Sequence, residues 1–210
     1  MDSRYAAEML ECASRFAPRL PEYYCYCIGH RQEYLAGPLL ARTPGAVPVL
    51  IGISPEELVR VRDALRPAEV MGFVTDVFSP GWERELPTAP ALIGITSLLG
   101  SVTDRKKETF LREAAARLRP AGVLIWSDLF LPQSLELYER YQAAEAEELC
   151  RNEPGPAPEA AVRRIAESHR SLYGIPVLLD RARELLYAAG FGSVDVVWKR
   201  YGYAALVAAK

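Results

Sequence analysis

The sequence predicts an α/β fold built on a mostly parallel sheet. Apolar runs of strand length alternate with amphipathic runs of helix length along most of the chain. The strand-like runs are continuously apolar, as strands buried on both faces of a parallel sheet must be. The chain closes differently, on two strand-like runs around "RYGY" (200–203) that suit an antiparallel pair.

Each element has its own local reason. Residues 3–17 read as an amphipathic helix with Ala6, Met9, Leu10 and Ala13 on one face, ended by Pro18 and Pro21. "YYCYCI" (23–28) is aromatic-rich and reads as a buried strand. "EYLAGPLLAR" (33–42) is helical, with Pro38 marking either a late start or a kink. After the "TPG" turn, "VPVLIGI" (47–53) is a second strand. "SPEELVRVRDAL" (54–65) is a helix with Ser54 as cap, Pro55 in the first turn and Glu57 three residues after the cap. "VMGFVTDVF" (70–78) and "ALIGITSLL" (91–99) are the third and fourth strands. "DRKKETFLREAAARL" (104–118) is a helix closed by "RPAG", and "GVLIWSDLF" (122–130) is the fifth strand. Residues 134–172 form a charged helical insertion interrupted by "NEPGPAPE". "PVLLDRARELLYAAGF" (176–191) is a last helix, ended by Gly190.

The chain has 210 residues, which suits one domain with its own core, the insertion at 134–172 included. Its net charge of -2 and lack of a basic face by composition speak against a nucleic-acid binder. No run approaches the roughly 20 apolar residues of a membrane span, and "MDSRYAAEML" lacks the apolar core of a signal peptide. The expectation is a cytoplasmic protein whose four cysteines, Cys12, Cys25, Cys27 and Cys150, are free thiols. Cys25, Cys27 and His30 offer soft metal ligands, but structural zinc needs a second ligand pair that this sequence does not supply. They read as buried thiols at the base of a loop, with no metal.

Three stretches, "PGAVPVLIGISPEELVRVRDAL", "REAAARLRPAGVLIWSDLFLP" and "LLYAAGFGSVDVVWKRYGYAALVAAK", resemble the class I S-adenosylmethionine-dependent methyltransferases. They are similar to that family's second strand and following helix, its turn into the fifth strand, and its closing helix and strand pair. The resemblance covers nearly the whole chain. It implies a Rossmann-like seven-stranded fold, S-adenosylmethionine as cofactor and a small-molecule acceptor.

The same register exposes departures. The family's first loop reads acidic-x-Gly-x-Gly-x-Gly, and here the run is Cys27, Ile28, Gly29, His30, Arg31, Gln32, Glu33. Only Gly29 remains, and Arg31 and Glu33 stand where backbone would approach the ligand without a side chain. The ribose-binding acid at the end of the second strand is replaced by Gly52. The resemblance then places cofactor contacts at Cys27, Gly29, His30 and Arg31, at Gly52 and Ile53, at Asp76 and Val77, and at Thr96.

Several of these residues have a plainer reading beside the functional one. Arg31 can fork onto a carboxylate or phosphate, or be a solvated charge. Asp76 can bond an adenine amine, or cap its own loop. Thr96 and Ser97 carry no strong acid or base. Asp128, at the end of the fifth strand, is the best-placed carboxylate for general-base work, and His169 with Tyr173 lies in the insertion that could cover a substrate. The plainer reading of His169 is an exposed helix histidine. Trp198, Tyr201 and Tyr203 read as core or as the surface of a homodimer. A transfer-RNA acceptor stays open because some relatives act there. Two functions follow: a divergent small-molecule methyltransferase, or a non-methylating relative that binds another ligand or serves as a partner subunit.

Overall fold

The computed structural model describes residues 3–52, 54–152 and 157–210, with positions 3, 4 and 172 described by backbone alone. Seven strands form one sheet: β1 Tyr23–Gly29, β2 Ala46–Gly52, β3 Met71–Val74, β4 Leu92–Thr96, β5 Val123–Leu129, β6 Ser193–Arg200 and β7 Tyr203–Ala209. The helices are α1 Ser3–Ser14, α2 Glu33–Arg42, α3 Pro55–Ala64, α4 Asp104–Arg117, α5 Leu135–Asn152, α6 Pro158–Tyr173 and α7 Leu179–Ala188. The strand order is β3-β2-β1-β4-β5-β7-β6. The first five strands run parallel, and β7 pairs antiparallel with both β5 and β6. This is the predicted Rossmann-like architecture with its antiparallel closing pair.

Both faces of the sheet are buried, and alternation sorts the side chains between them. Tyr26, Ile28, Ile51, Ile95 and Trp126 face one layer, where they meet Phe110 and Leu111 of α4 and Leu185 and Leu186 of α7. Cys25, Cys27, Leu50 and Leu92 face the other, against Met9 and Leu10 of α1, Leu35 and Leu39 of α2, and Leu58 of α3. Cys25 and Cys27 share that face with sulfurs 3.9 Å apart, and both are free thiols.

Local signals explain most boundaries. Ser54 accepts a hydrogen bond from the Glu57 backbone N–H at 3.3 Å, and Pro55 sits in the first turn. Gly190 adopts φ +103 just past α7 and stops it. α2 starts at Glu33 and continues through Pro38, which rules out the late start. Two strands are shorter than the apolar runs suggest. β3 ends at Val74 because Asp76 turns the chain: the Phe78 N–H donates to its Oδ1 at 3.0 Å and the Ser79 N–H to its carbonyl at 3.0 Å. β4 ends at Thr96 because Ser97 takes φ +47, and a 3-10 turn follows over Leu99–Ser101.

The carboxyl ends of β1 and β4 approach closely. Gly29 has φ +101, and a Cβ there would lie 2.2 Å from the Thr96 carbonyl oxygen. Gly29→Ala is expected to cost about 2–4 kcal/mol, since it combines left-handed strain with a backbone clash. Chemical denaturation of the variant, with the slope compared to wild type, measures this.

Candidate functional site

The strand order reverses between β1 and β4, and open parallel sheets bind ligands outside the carboxyl ends at such a point. A cavity of about 470 Å³ lies there. That volume falls within the range of small-molecule sites. Its floor is the ends of β1 and β2, through Ile28, Gly29, Ile51 and Gly52. Val77, Phe78, Leu98 and Val102 give it apolar walls, while His30, Glu57 and Asp76 bring charge to its rim.

The loop after β1 carries the departures from the glycine-rich pattern, and each of its larger side chains is anchored elsewhere. Arg31 adopts φ +55, a conformation that favours glycine, and its guanidinium carbon lies 5.8 Å from the Tyr34 ring centroid. Gln32 is fully buried, and its amide donates to the carbonyls of Gly29 and Ile51, both at 2.8 Å. Glu33 accepts two bonds from Arg60 of α3, at 2.8 and 3.4 Å. None of the three lines the cavity.

His30 does line it. Its Nδ1 lies 3.2 Å from Glu57 Oε1, joining the β1 loop to the first turn of α3. This hydrogen bond raises the pKa of His30 above its ordinary 6.5, against the opposing effects of burial and of Arg31. The same bond lowers Glu57 below its ordinary value of 4.5. His30 therefore contributes stability that is complete below about pH 6.5 and is lost as pH rises through its raised value. Glu57 contributes above about pH 4.5 and loses that contribution on acidification.

Of the residues expected at the cofactor, Gly29, His30, Gly52, Asp76 and Val77 line the cavity. Three do not. Cys27 points to the opposite face of the sheet, into the α1–α2 layer. Arg31 turns onto Tyr34. Thr96 is buried because its hydroxyl donates to the carbonyls of Ile28 and His30, tying β4 to the β1 loop. Ile53 lies outside the described residues. Asp76 behaves as a loop cap, with Oδ2 accepting from the Ser79 hydroxyl at 3.0 Å. Glu57 reads as a capping residue in the sequence, and only the fold shows that its carboxylate reaches the β1 loop.

The two residues expected to be catalytic are buried away from this cavity. Asp128 Oδ2 accepts from the Gly100 N–H at 3.0 Å and from Trp126 Nε1 at 3.3 Å, and Oδ1 accepts from the Leu129 N–H at 3.0 Å. The Gly100 bond ties it to the turn after β4, and its side chain does not line the cavity. Burial raises its pKa from 3.8 to about 6 despite these bonds. His169 is neither exposed nor open to a substrate. It sits between Tyr138, at 3.0 Å from Nδ1, and Tyr203, at 2.8 Å from Nε2, with Glu145 Oε2 3.4 Å away. The network joins α5, α6 and β7.

Two pH measurements test these assignments. In NMR titration His30 should titrate above its ordinary 6.5, and Glu57→Gln should move it back down, since the largest cause of the shift is removed. Asp128 holds a proton in the folded state that the unfolded chain has released between about pH 4 and 6, so stability falls as pH rises across that window. Denaturation midpoints from about pH 4 to 7 should show this slope in wild type and lose it in Asp128→Asn.

No protein-family model matches the chain, and no curated protein matches it. Solved structures do. Human N-acetylserotonin methyltransferase in complex with SAM is 17% identical, with a TM-score of 0.63, and the match covers 98% of this chain and 51% of that one. The S-adenosylmethionine-dependent methyltransferase SibL is 14% identical at a TM-score of 0.64, covering 99% and 55%. An O-methyltransferase family 2 protein from Planctomyces limnophilus, in complex with apigenin, is 14% identical at 0.67, covering 97% and 57%. The chain thus spans about half the length of these proteins. At these identities the likeness is one of architecture: the chain has the fold of the class I S-adenosylmethionine-dependent methyltransferases.

Proposed function

We propose that the cavity binds S-adenosylmethionine and that the protein methylates a small-molecule acceptor. The observation that carries this reading is the disposition of the β1 loop. Arg31, Gln32 and Glu33 occupy positions where side chains would fill a cofactor site, yet all three are drawn off by Tyr34, the strand ends and Arg60. Gly29 keeps the close backbone passage that the floor of the cavity needs. The fit is also chemical. Val77, Phe78, Leu98 and Val102 offer apolar walls to a purine ring, and Glu57, Asp76 and His30 offer polar groups to the rest of a nucleoside.

When bound, S-adenosylmethionine would supply an electrophilic methyl group on its sulfonium. The chain's own contribution is positioning and the exclusion of water. Asp128 is buried and does not line the cavity, so it is not placed to serve as a base there. This favours an acceptor whose attacking atom is already nucleophilic, for which proximity and orientation suffice.

One observation favours the second reading, a non-methylating binder. Tyr173, at the end of α6, is buried against the turn after β4: a Cβ on Gly100 would lie 3.2 Å from its ring and 3.1 Å from Asp128 Oδ1. That closes the ends of β4 and β5, where an acceptor would meet the cofactor's methyl group.

Calorimetry with S-adenosylmethionine separates these. A micromolar Kd, about -8 kcal/mol, that is lost when Leu98→Trp fills the cavity supports the site. No heat at millimolar ligand overturns it. Binding without formation of S-adenosylhomocysteine across a panel of amines, thiols and phenols selects the second reading.

A further inference from the structure

A second cavity, of about 270 Å³, lies beyond the end of β5 and shares no lining residue with the cavity beside β1 and β2. Its walls come from the chain after β5, the first turns of α5 and α7, and the end of β6. Phe130, Leu131, Pro132, Leu137 and Leu179 make most of it apolar, and Tyr141 adds an aromatic ring. Its volume is just under the usual range of ligand sites, which suits a single-ring molecule. Bonds between distant parts of the chain hold the walls in place. The Leu131 N–H donates to the Val177 carbonyl at 2.8 Å, and the Gln133 amide to Asp180 Oδ2 at 2.7 Å. The Lys199 ammonium donates to the Tyr141 hydroxyl at 3.1 Å, which joins β6 to α5.

Two features distinguish it from a packing gap. The first is Lys199. Its ammonium also donates to the Tyr201 carbonyl at 2.7 Å, and Tyr201 presents that carbonyl from φ +52, a conformation that favours glycine. An ammonium has three N–H donors. Two are used here, and no carboxylate pairs with Lys199 among the described residues, so one donor and the charge stay open. The cavity's one acid, Asp180, is engaged by Gln133. The second feature is the rim. Leu137 lines the cavity, Leu135 precedes it on α5 and Leu178 bridges to Leu131, yet all three are exposed. Large apolar side chains left in water around a concave site are a mark of ligand binding.

An exposed ammonium holds an anion only weakly by itself, and apolar walls do not choose a charge. Together they select a ligand with a flat apolar body and one acidic group. A cation is repelled by Lys199, and a phosphate-rich anion finds a single ammonium and walls that offer its other oxygens no donor. We infer that this cavity binds an aromatic carboxylate, with the ring packed among Phe130, Leu137 and Leu179 and the carboxylate on Lys199. It is a second site, independent of the nucleoside reading above.

The test compares cinnamate, cinnamyl alcohol and cinnamylamine by calorimetry on the full chain, one shape carrying a negative, no and a positive charge. Wild type should bind cinnamate with a Kd below about 1 mM. It should bind the alcohol at least about 10-fold more weakly, the difference expected for a hydrogen bond between charged groups, and the amine not at all. Lys199→Met should weaken cinnamate by the same factor of about 10 and leave the alcohol unchanged. Lys199→Gln provides the same comparison if Lys199→Met folds poorly. Leu137→Trp, at an exposed position, fills the cavity and should abolish binding. Leu98→Trp, in the other cavity, should leave cinnamate binding intact. No heat with millimolar cinnamate overturns the inference, as does equal affinity for the acid and the alcohol. A Lys199 variant that keeps the preference also overturns it. Binding that survives Leu137→Trp, or is lost in Leu98→Trp, places the acid elsewhere and overturns it too.

Discussion

The tie between the ends of β1 and β4 is the constraint on which the cavity depends. The His30 N–H donates to the Thr96 carbonyl at 2.9 Å, and the Thr96 hydroxyl returns to the carbonyls of Ile28 and His30. Gly29 must pass so close to Thr96 that no side chain fits. Gln32 adds the second tie, joining the end of β1 to the end of β2 through its two amide bonds. That bridge leaves the Gln32 carbonyl oxygen buried without a partner, a cost of about 1–3 kcal/mol that two satisfied backbone carbonyls help offset. Three strand ends are thereby fixed relative to one another, and the space outside them is shaped before any ligand arrives.

Most of the fold was legible because a parallel sheet needs runs that are apolar on both faces, and this sequence has them at regular intervals. The cap at Ser54 and the stop at Gly190 were legible because they are local. What was not legible came from partners distant in sequence. The run Arg31, Gln32, Glu33 looks as if it should block a ligand, since three side chains replace small residues. Arg31 takes the left-handed backbone conformation anyway, at a cost on the order of 1–3 kcal/mol. The side chains leave because Ile51 and Arg60 receive two of them, at separations of 19 and 27 residues. Glu57 was hidden for the opposite reason. Its position after Ser54 has a complete local explanation, and nothing in the helix pattern points to His30.

His169 shows the same limit on the other side of the sheet. A histidine in a charged helix reads as exposed, yet it is buried by Tyr138 and Glu145 of α5 and Tyr203 of β7. The network gives each imidazole nitrogen a partner and fixes the rotation of α6 over the sheet. Tyr173 lies one helical turn further on, so the same rotation drives its ring against Gly100. Lys107 then fastens the chain beyond α6. Its buried ammonium donates to the carbonyls of Val102 and Ile175, at 2.7 and 2.9 Å, while the Ile175 N–H donates to the Gly100 carbonyl at 2.7 Å.

The two halves of the carboxyl edge are therefore built for different work. Beside β1 and β2 the polar groups are incompletely paired and face a cavity. Beside β4 and β5, Asp128, Lys107 and His169 are buried and hydrogen-bonded to their neighbours. A buried ionic group whose partners are all in place resists a change of charge or position, because either change strands a desolvated donor or acceptor. One turn, Leu99–Ser101, spans both halves: it contributes Ser101 to the cavity and carries Gly100 beneath Tyr173.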